Sequence, residues 1–90
     1  MKRIVITLDL DSKKNPDYHA LDELMAEAGF FDVLPGVESR LPYNTYFGES
    51  EDGVDIGDLL DCIWTALQEA DLHPSALFGG ELSLWALRAE

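Results

Sequence analysis

Basic residues are scarce in this chain. It carries six lysines and arginines against 18 aspartates and glutamates in 90 residues, which gives a formal net charge of -12 at pH 7. A protein that holds a nucleic-acid backbone needs several basic side chains clustered on one face. Here they are scattered along the sequence as Lys2, Arg3, Lys13, Lys14, Arg40 and Arg88. We therefore expect no direct binding to nucleic acid, and a surface that is negative on nearly every face.

Cysteine and long apolar runs are equally scarce. The single cysteine, Cys62, excludes an intrachain disulfide and a cysteine-based metal cluster within one protomer. Its place in an apolar helical stretch predicts a position in the core. No apolar run is long enough for a transmembrane helix, and the apolar residues 4–8 meet Asp9 too early for a secretory signal. We expect a cytoplasmic protein, in a cell or an infected host, that makes no contact with a membrane.

Apolar residues are abundant enough to build a core. They make up 47% of the sequence, and a chain of this length buries a little over ~60% of its unfolded surface. This content, with its helical and alternating patterns, argues against disorder despite the charge. No linker, repeat or low-complexity tract interrupts the chain, so residues 1–90 are predicted to form a single domain.

The first third of the chain has the pattern of a strand followed by a helix. Residues 3–10 alternate as a strand does, and Pro16 is a favoured first helical residue. Asp17 then suits the positive end of the helix dipole, and Gly29 predicts the end of the helix. The apolar face of the strand consists of Ile4, Ile6, Leu8 and Leu10.

In the middle of the chain the apolar period returns to two. We expect strands at 31–34, 37–41 and 43–47, the middle one being open to interpretation as a loop or bulge. Residues 48–53 are interpreted as an acidic turn. The turn delivers Asp55 as a candidate N-cap of a second helix.

The last third predicts this helix and a final strand. Apolar residues recur at helical spacing until the His73-Pro74 pair, which forces the chain out of the helix. The Gly79-Gly80 pair is a candidate two-residue hairpin turn, with bending of a strand as the alternative. A last strand is expected at 81–87.

The order strand, helix, two strands, helix, strand predicts an α+β fold. It is the split β-α-β arrangement, a ferredoxin-like two-layer sandwich with two helices on one antiparallel sheet. The second face of such a sheet is open, and we expect Val5, Thr7, Tyr46 and Trp85 to lie there. Because a second copy or a partner commonly hides such apolar area, we predict a homodimer or an obligate complex.

Two carboxylates close the first predicted strand. In the sequence Asp9-Leu10-Asp11, alternate residues point the same way, so the Asp9 and Asp11 side chains are candidates to converge on one Mg²⁺ ion. The alternative interpretation is an acidic strand end followed by a solvated turn.

The decapeptide at residues 39–48, Ser-Arg-Leu-Pro-Tyr-Asn-Thr-Tyr-Phe-Gly, is the most distinctive segment of the chain. With the strand that ends in Asp9, the proline-marked turn and the second amphipathic helix, the chain resembles the small CRISPR-associated adaptation proteins. It is also similar to the antitoxin ribonuclease of type V toxin–antitoxin systems. The resemblance covers most of the chain and depends on element order and a few residues.

The resemblance implies a metal-dependent nuclease or endoribonuclease. Two protomers would bring their Asp9 carboxylates to the dimer cleft, hold Mg²⁺ or Mn²⁺ there and activate water against a phosphodiester. Asp11 would be auxiliary, and Arg40 would match the turn arginine that contacts a phosphate. The chain departs from these nucleases in its acidic first helix, which lacks the arginines of the family.

The charge favours a different function, which we take as the main hypothesis. A non-enzymatic, acidic, ferredoxin-like dimer without a cofactor would dock on a basic protein that handles nucleic acid. Such a protein would act as an inhibitor or regulator, as small phage-encoded anti-defence proteins do. The candidate partner-binding residues form an acidic arc of Glu49, Glu51, Asp52, Asp55 and Asp58.

Overall fold

A single four-stranded antiparallel sheet organises the structure, a computed structural model that describes residues 1–34, 36–37, 39–83 and 86. Along the sheet the strands lie in the order β2-β3-β1-β4. In chain order, the elements are β1 (Lys2–Leu10), a 3₁₀ turn (Ser12–Lys14), α1 (Tyr18–Glu27), β2 (Phe30–Phe31), β3 (Thr45–Ser50), α2 (Ile56–Glu69) and β4 (Pro74–Glu81).

The strand order follows from two interleaved β-α-β units. One unit is β1-α1-β2 with β3 inserted between its strands, and the other is β3-α2-β4 with β1 inserted. Both central strands pair antiparallel with their neighbours. The structure is therefore the predicted α+β ferredoxin-like two-layer sandwich.

The main core lies between the sheet and the two helices. The alternate residues of β1 that the sequence assigns to one face are all buried there, together with Leu21 and Met25 of α1 and Ile63 and Leu67 of α2. Tyr46 belongs to this core, because it pairs with Ile6 across the strands and only 3% of it is exposed. The prediction that Tyr46 lies on the open face is therefore wrong.

Side-chain caps fix where both helices begin. The Asp17 carboxylate accepts a hydrogen bond from the Ala20 amide, and the Asp55 carboxylate accepts one from the Asp58 amide. Asp55 is the predicted cap, whereas Asp17 lies just before α1 and not inside it. Gly29 has the positive φ of 88° that ends α1 in the expected way.

The second half of the chain differs from the prediction in its strands. β2 has only two residues, residues 37–41 contribute an isolated bridge at Arg40, and β3 runs on to Ser50. Gly79 and Gly80 lie inside β4, opposite Ile6 and Val5, so the hairpin-turn interpretation is wrong and the pair belongs to a strand. Of the strand predicted at 81–87, Leu84, Trp85 and Leu87 lie outside the described residues.

Cys62 is exposed on α2, contrary to the predicted core position. The helix buries Ile63 and Leu67, and Cys62 lies on the side of Asp61, Thr65 and Glu69. In the part of the chain that the structure describes, neither helix is long and apolar enough to cross a bilayer.

Candidate functional site

The acidic arc lies along the turn that joins β3 to α2. All five of its carboxylate residues are exposed, and no lysine or arginine interrupts the segment 49–58. Glu49 lies opposite Arg3 in the sheet, and Asp58 is in the first turn of α2. The structure thus presents five exposed acidic side chains within one segment of ten residues.

Two members of the arc have local partners that matter for any test. Asp55 caps α2, with its Oδ1 3.1 Å from the Asp58 amide nitrogen. The Asp52 carboxylate lies 3.1 Å from the amino group of Met1. Variants of the arc should spare Asp55, since its loss would also remove the helix cap.

Asp9 and Asp11, the predicted carboxylate pair, lie at the end of β1. The pairing of β1 with β4 shifts register between Asp9 and Leu10, and the strand ends there. Asp11 caps the following turn, because its Oδ1 accepts a hydrogen bond from the Lys13 amide at 3.0 Å. The predicted convergence of the Asp9 and Asp11 side chains requires that both lie in the strand, and the strand ends before Asp11.

No group of three or more His, Cys, Asp or Glu side chains is placed to hold a metal ion among the described residues. The assignment of Asp9 as a ligand of Mg²⁺ or Mn²⁺ stays a prediction.

The distinctive decapeptide lines a cleft of about 320 Å³, which we call the tyrosine cleft. Seven of the lining residues are consecutive in the decapeptide, and the others come from α1 and from the start of the loop after β2. Its lining residues are Tyr18, Asp22, Asp32, Arg40, Leu41, Pro42, Tyr43, Asn44, Thr45 and Tyr46.

The loop after β2 is closed on itself at the cleft. The Leu41 amide donates to the Asp32 carbonyl at 2.7 Å, and Val33 forms a bridge with Arg40. This closure brings the Arg40 side chain next to Asp32, with 3.8 Å between its Nε and the carboxylate Oδ2. The predicted phosphate contact thus lies beside a carboxylate.

A tight turn at residues 42–45 sets the other wall of the cleft. The Thr45 amide donates to the Pro42 carbonyl at 3.0 Å, and Asn44 adopts a positive φ of 55°, which asparagine tolerates well. The turn holds Tyr43 outward with 73% of the residue exposed. The Tyr43 ring centre lies 5.4 Å from that of Tyr18 on α1.

Tyr46 forms the floor of the cleft. Its hydroxyl donates to the Asp22 Oδ1 across 2.6 Å. Burial, and then this hydrogen bond and the charge of Asp22, raise the pKa of Tyr46 above its ordinary value of 10.0. The neighbouring Tyr18 phenol is the main cause that raises the pKa of Tyr43 to about 12, with Asp9 adding to it. Both phenols are therefore neutral donors at neutral pH.

The Tyr46→Phe variant tests the buried hydrogen bond. We expect the free energy of unfolding at pH 7 to fall by about 1 kcal/mol, since the exposed Asp22 carboxylate regains water. The folded-state pKa of Tyr46 is raised, so its contribution is complete below pH 10 and is lost as the pH rises further. Urea denaturation at several pH values should show a smaller loss of stability above pH 10 in the variant than in the wild type. Tyr43→Phe, at an exposed ring, is the control at pH 7, and equal losses in the two variants would contradict the expectation.

The open face of the sheet carries apolar side chains. Val5 is half-buried, and Phe78, opposite Thr7, is 70% exposed. Phe47 also lies on this face, since it pairs with Val5, yet it is buried. It lines, with Leu34, a largely apolar groove of about 620 Å³ next to β2. The predicted positions of Val5 and Thr7 on this face are confirmed, Phe78 was not predicted there, and Trp85 is outside the described residues.

Comparison with protein-family models, with curated proteins and with solved structures finds no match to this chain. The tyrosine cleft is the feature that the sequence did not reveal. Its decapeptide was singled out, but Tyr18, Asp22 and Asp32 reach it only through the packing of α1 and the closure of the loop after β2. No local sequence pattern predicts that these residues lie close together.

Proposed function

We propose that this chain is a non-enzymatic protein-binding domain that docks on a basic partner through its acidic arc. The observation that carries the proposal is the position of the negative charge. Among the described residues no charged side chain is buried, so the carboxylates are at the surface and available to a partner. Neither α1 nor α2 contains a lysine or an arginine.

The chemistry of the partner follows from this charge. A negatively charged surface raises the rate of association with a basic protein and repels phosphate. Proteins that handle nucleic acid carry the complementary basic surface, and a domain that covers it would act as an inhibitor or regulator. No cofactor is needed for such a role.

A second copy is the other partner that we propose. The charged residues of β1 and β3 on the open face are Arg3 and Glu49, which are opposite each other, and Asp9. The helices carry carboxylates but no lysine or arginine. Because two chains of charge -12 repel each other, the nearly balanced open face is the surface on which they can meet.

Charge reversal in the arc tests the docking surface. In the Glu51→Lys/Asp52→Lys variant, we expect a lysine- and arginine-rich peptide to bind about tenfold more weakly at low salt, because each exposed pair contributes ~0.2–1 kcal/mol. Asp61→Lys/Glu69→Lys on α2 makes the same change in net charge away from the arc. Fluorescence anisotropy of the labelled peptide measures both affinities. Equal weakening in the two variants would show that net charge, and not the arc, attracts the basic chain.

The competing hypothesis is the metal-dependent nuclease in which Asp9 holds Mg²⁺ or Mn²⁺. It is separated from the proposal by incubation of labelled single-stranded RNA and duplex DNA with the wild type and Asp9→Ala. Cleavage that needs the metal, stops with a chelator and is lost in the variant would overturn the non-enzymatic function. We expect no cleavage.

A further inference from the structure

We infer that the tyrosine cleft binds a cationic side chain, and specifically the guanidinium of an arginine supplied by a protein partner. The inference deepens the proposed function, because it assigns one contact of a basic partner to a defined site. It is carried by the cleft itself, in which three phenol rings and two carboxylates surround a volume of about 320 Å³.

The charges of the cleft favour a cation over an anion. Asp22 and Asp32 line it against the single Arg40. The charges of Asp22 and Asp32 also act on the Tyr46 phenol at the floor, where both disfavour its ionised form. An anion would meet the same repulsion, whereas a cation would be attracted.

The beginning of α1 does not reverse this preference. Tyr18 is the first residue of the helix, and the amides at such an end attract anions. Here the Asp17 carboxylate already accepts a hydrogen bond from the Ala20 amide at 3.1 Å. The anion-binding capacity of this helix end is therefore partly used by the chain's own cap.

The aromatic rings suit a planar cation. Tyr43 is 73% exposed, and its ring is inclined at 54° to that of Tyr18. A guanidinium can stack on an exposed phenol ring while its N–H groups point to a carboxylate. The Asp22 Oδ1 already receives the Tyr46 hydroxyl, so its second oxygen and the Asp32 carboxylate are the acceptors for the incoming group.

Removing the charge of Arg40 should change the affinity of the cleft in a direction that depends on the charge of the ligand. Its side chain is 81% exposed and its Nε lies 3.8 Å from Asp32 Oδ2, a long and weak ion pair. A cation entering the cleft competes with Arg40 for Asp32. Removing the Arg40 charge should therefore strengthen the binding of a cation, whereas it would weaken the binding of a phosphate.

The experiment is an NMR titration of the full chain labelled with ¹⁵N. The probes are acetyl-Gly-Arg-Gly-amide and the same peptide with citrulline, which has the shape of arginine without its charge. At roughly 10 mM salt the Debye screening length is about 30 Å, so salt weakens the attraction between the peptide and the exposed carboxylates only slightly. We expect the arginine peptide to shift the amides of Tyr18, Asp22 and Tyr43, and to bind at least about threefold more tightly than the citrulline peptide.

Three variants complete the test. Asp32→Asn and Tyr43→Leu should each weaken the arginine peptide about two- to fivefold, and Arg40→Gln should strengthen it about two- to fivefold. Asp61→Asn and Arg3→Gln make matched changes in net charge away from the cleft and should leave the affinity within about twofold. The same spectra report whether each variant is folded, so a loss of structure is not mistaken for a loss of binding.

The outcomes separate this inference from the proposed function. Equal binding of the two peptides, or weaker binding of the arginine peptide to Arg40→Gln, would overturn the inference. Because the Tyr18 and Tyr43 amides and the Arg40→Gln variant report on the cleft, the result does not depend on the acidic arc. A cleft that binds arginine while the arc variant keeps its affinity for the basic peptide would support the cleft and overturn the arc.

Discussion

Replacing Gly48 with alanine is expected to lower the free energy of unfolding by about 3 kcal/mol, near the upper end of the cost of overpacking a core. Gly48 lies in β3 and pairs with Phe30 of β2. A Cβ atom at this position would lie 2.5 Å from the Phe30 Cδ1 and 2.6 Å from the Gly29 carbonyl oxygen. The Phe30 ring is buried and the carbonyl belongs to the backbone, so neither can move aside without cost.

Gly80→Ala is the matched control for this substitution. Gly80 is also a strand glycine, opposite Val5, but a Cβ there has no atom within 4 Å. It should be neutral, or stabilising by up to about 1 kcal/mol, because alanine restricts the unfolded chain. Thermal unfolding followed by circular dichroism should separate the two variants by roughly 12 °C or more. Equal melting temperatures would show that the Phe30 ring does not pack against Gly48.

Local sequence signals predicted the elements that depend on local physics. The alternation of β1, the Asp55 cap of α2 and the stop at Gly29 require only neighbouring residues. They could be predicted because an N-cap or a C-terminal glycine acts within one helical turn. The element order that follows from them was enough to give the ferredoxin-like fold.

The wrong predictions concern positions whose structure is determined by residues far away in the sequence. Gly79 and Gly80 look like a hairpin turn, yet Gly79 is a strand residue on which α2 packs, with Leu60 Cδ2 2.9 Å from where a Cβ would lie. Gly48 looks like the start of a turn because nothing in the sequence shows the Phe30 ring above it. Tyr46 was assigned to the wrong face because the register between β1 and β3 is set by the whole sheet.

The candidate functional residues also include some that local sequence could predict and some that it could not. The exposure of the acidic arc could be predicted because its five charged residues are close together in the sequence, and its role in binding stays a prediction. The tyrosine cleft could be predicted only in part, as a decapeptide of unusual composition. Its carboxylates Asp22 and Asp32 become neighbours of Arg40 and Tyr46 only when the loop after β2 closes.

The second large effect is expected from Phe78→Asp, which should turn a homodimer into a monomer. Phe78 is 70% exposed on β4 and lies on the open face opposite Thr7. Burying such a ring against a second copy contributes about 2 kcal/mol, and a new carboxylate adds repulsion between two chains that are each at -12. Together these changes should weaken dimerisation about 100-fold.

Light scattering coupled to size-exclusion chromatography at micromolar concentration measures this change. Thr65→Asp, at an exposed position on α2, adds the same charge outside the sheet and should leave the dimer intact. Unchanged far-UV circular dichroism would show that Phe78→Asp is folded, as its exposure predicts. A wild-type chain that is monomeric at these concentrations would contradict the dimer.

The dimer and the basic partner would share only Glu49, which lies on the open face, whereas the other four residues of the acidic arc lie in the turn and at the start of α2. Pairing through the open face would remove apolar area from water and leave both helices, which carry carboxylates and no lysine or arginine, on the outside. Each dimer would then present two acidic arcs. If linked basic sites of a partner can reach both arcs at once, the second contact becomes intramolecular and the overall affinity rises. Phe78→Asp should therefore also weaken the capture of a basic partner with two linked sites, while leaving the binding of a single-site basic peptide unchanged.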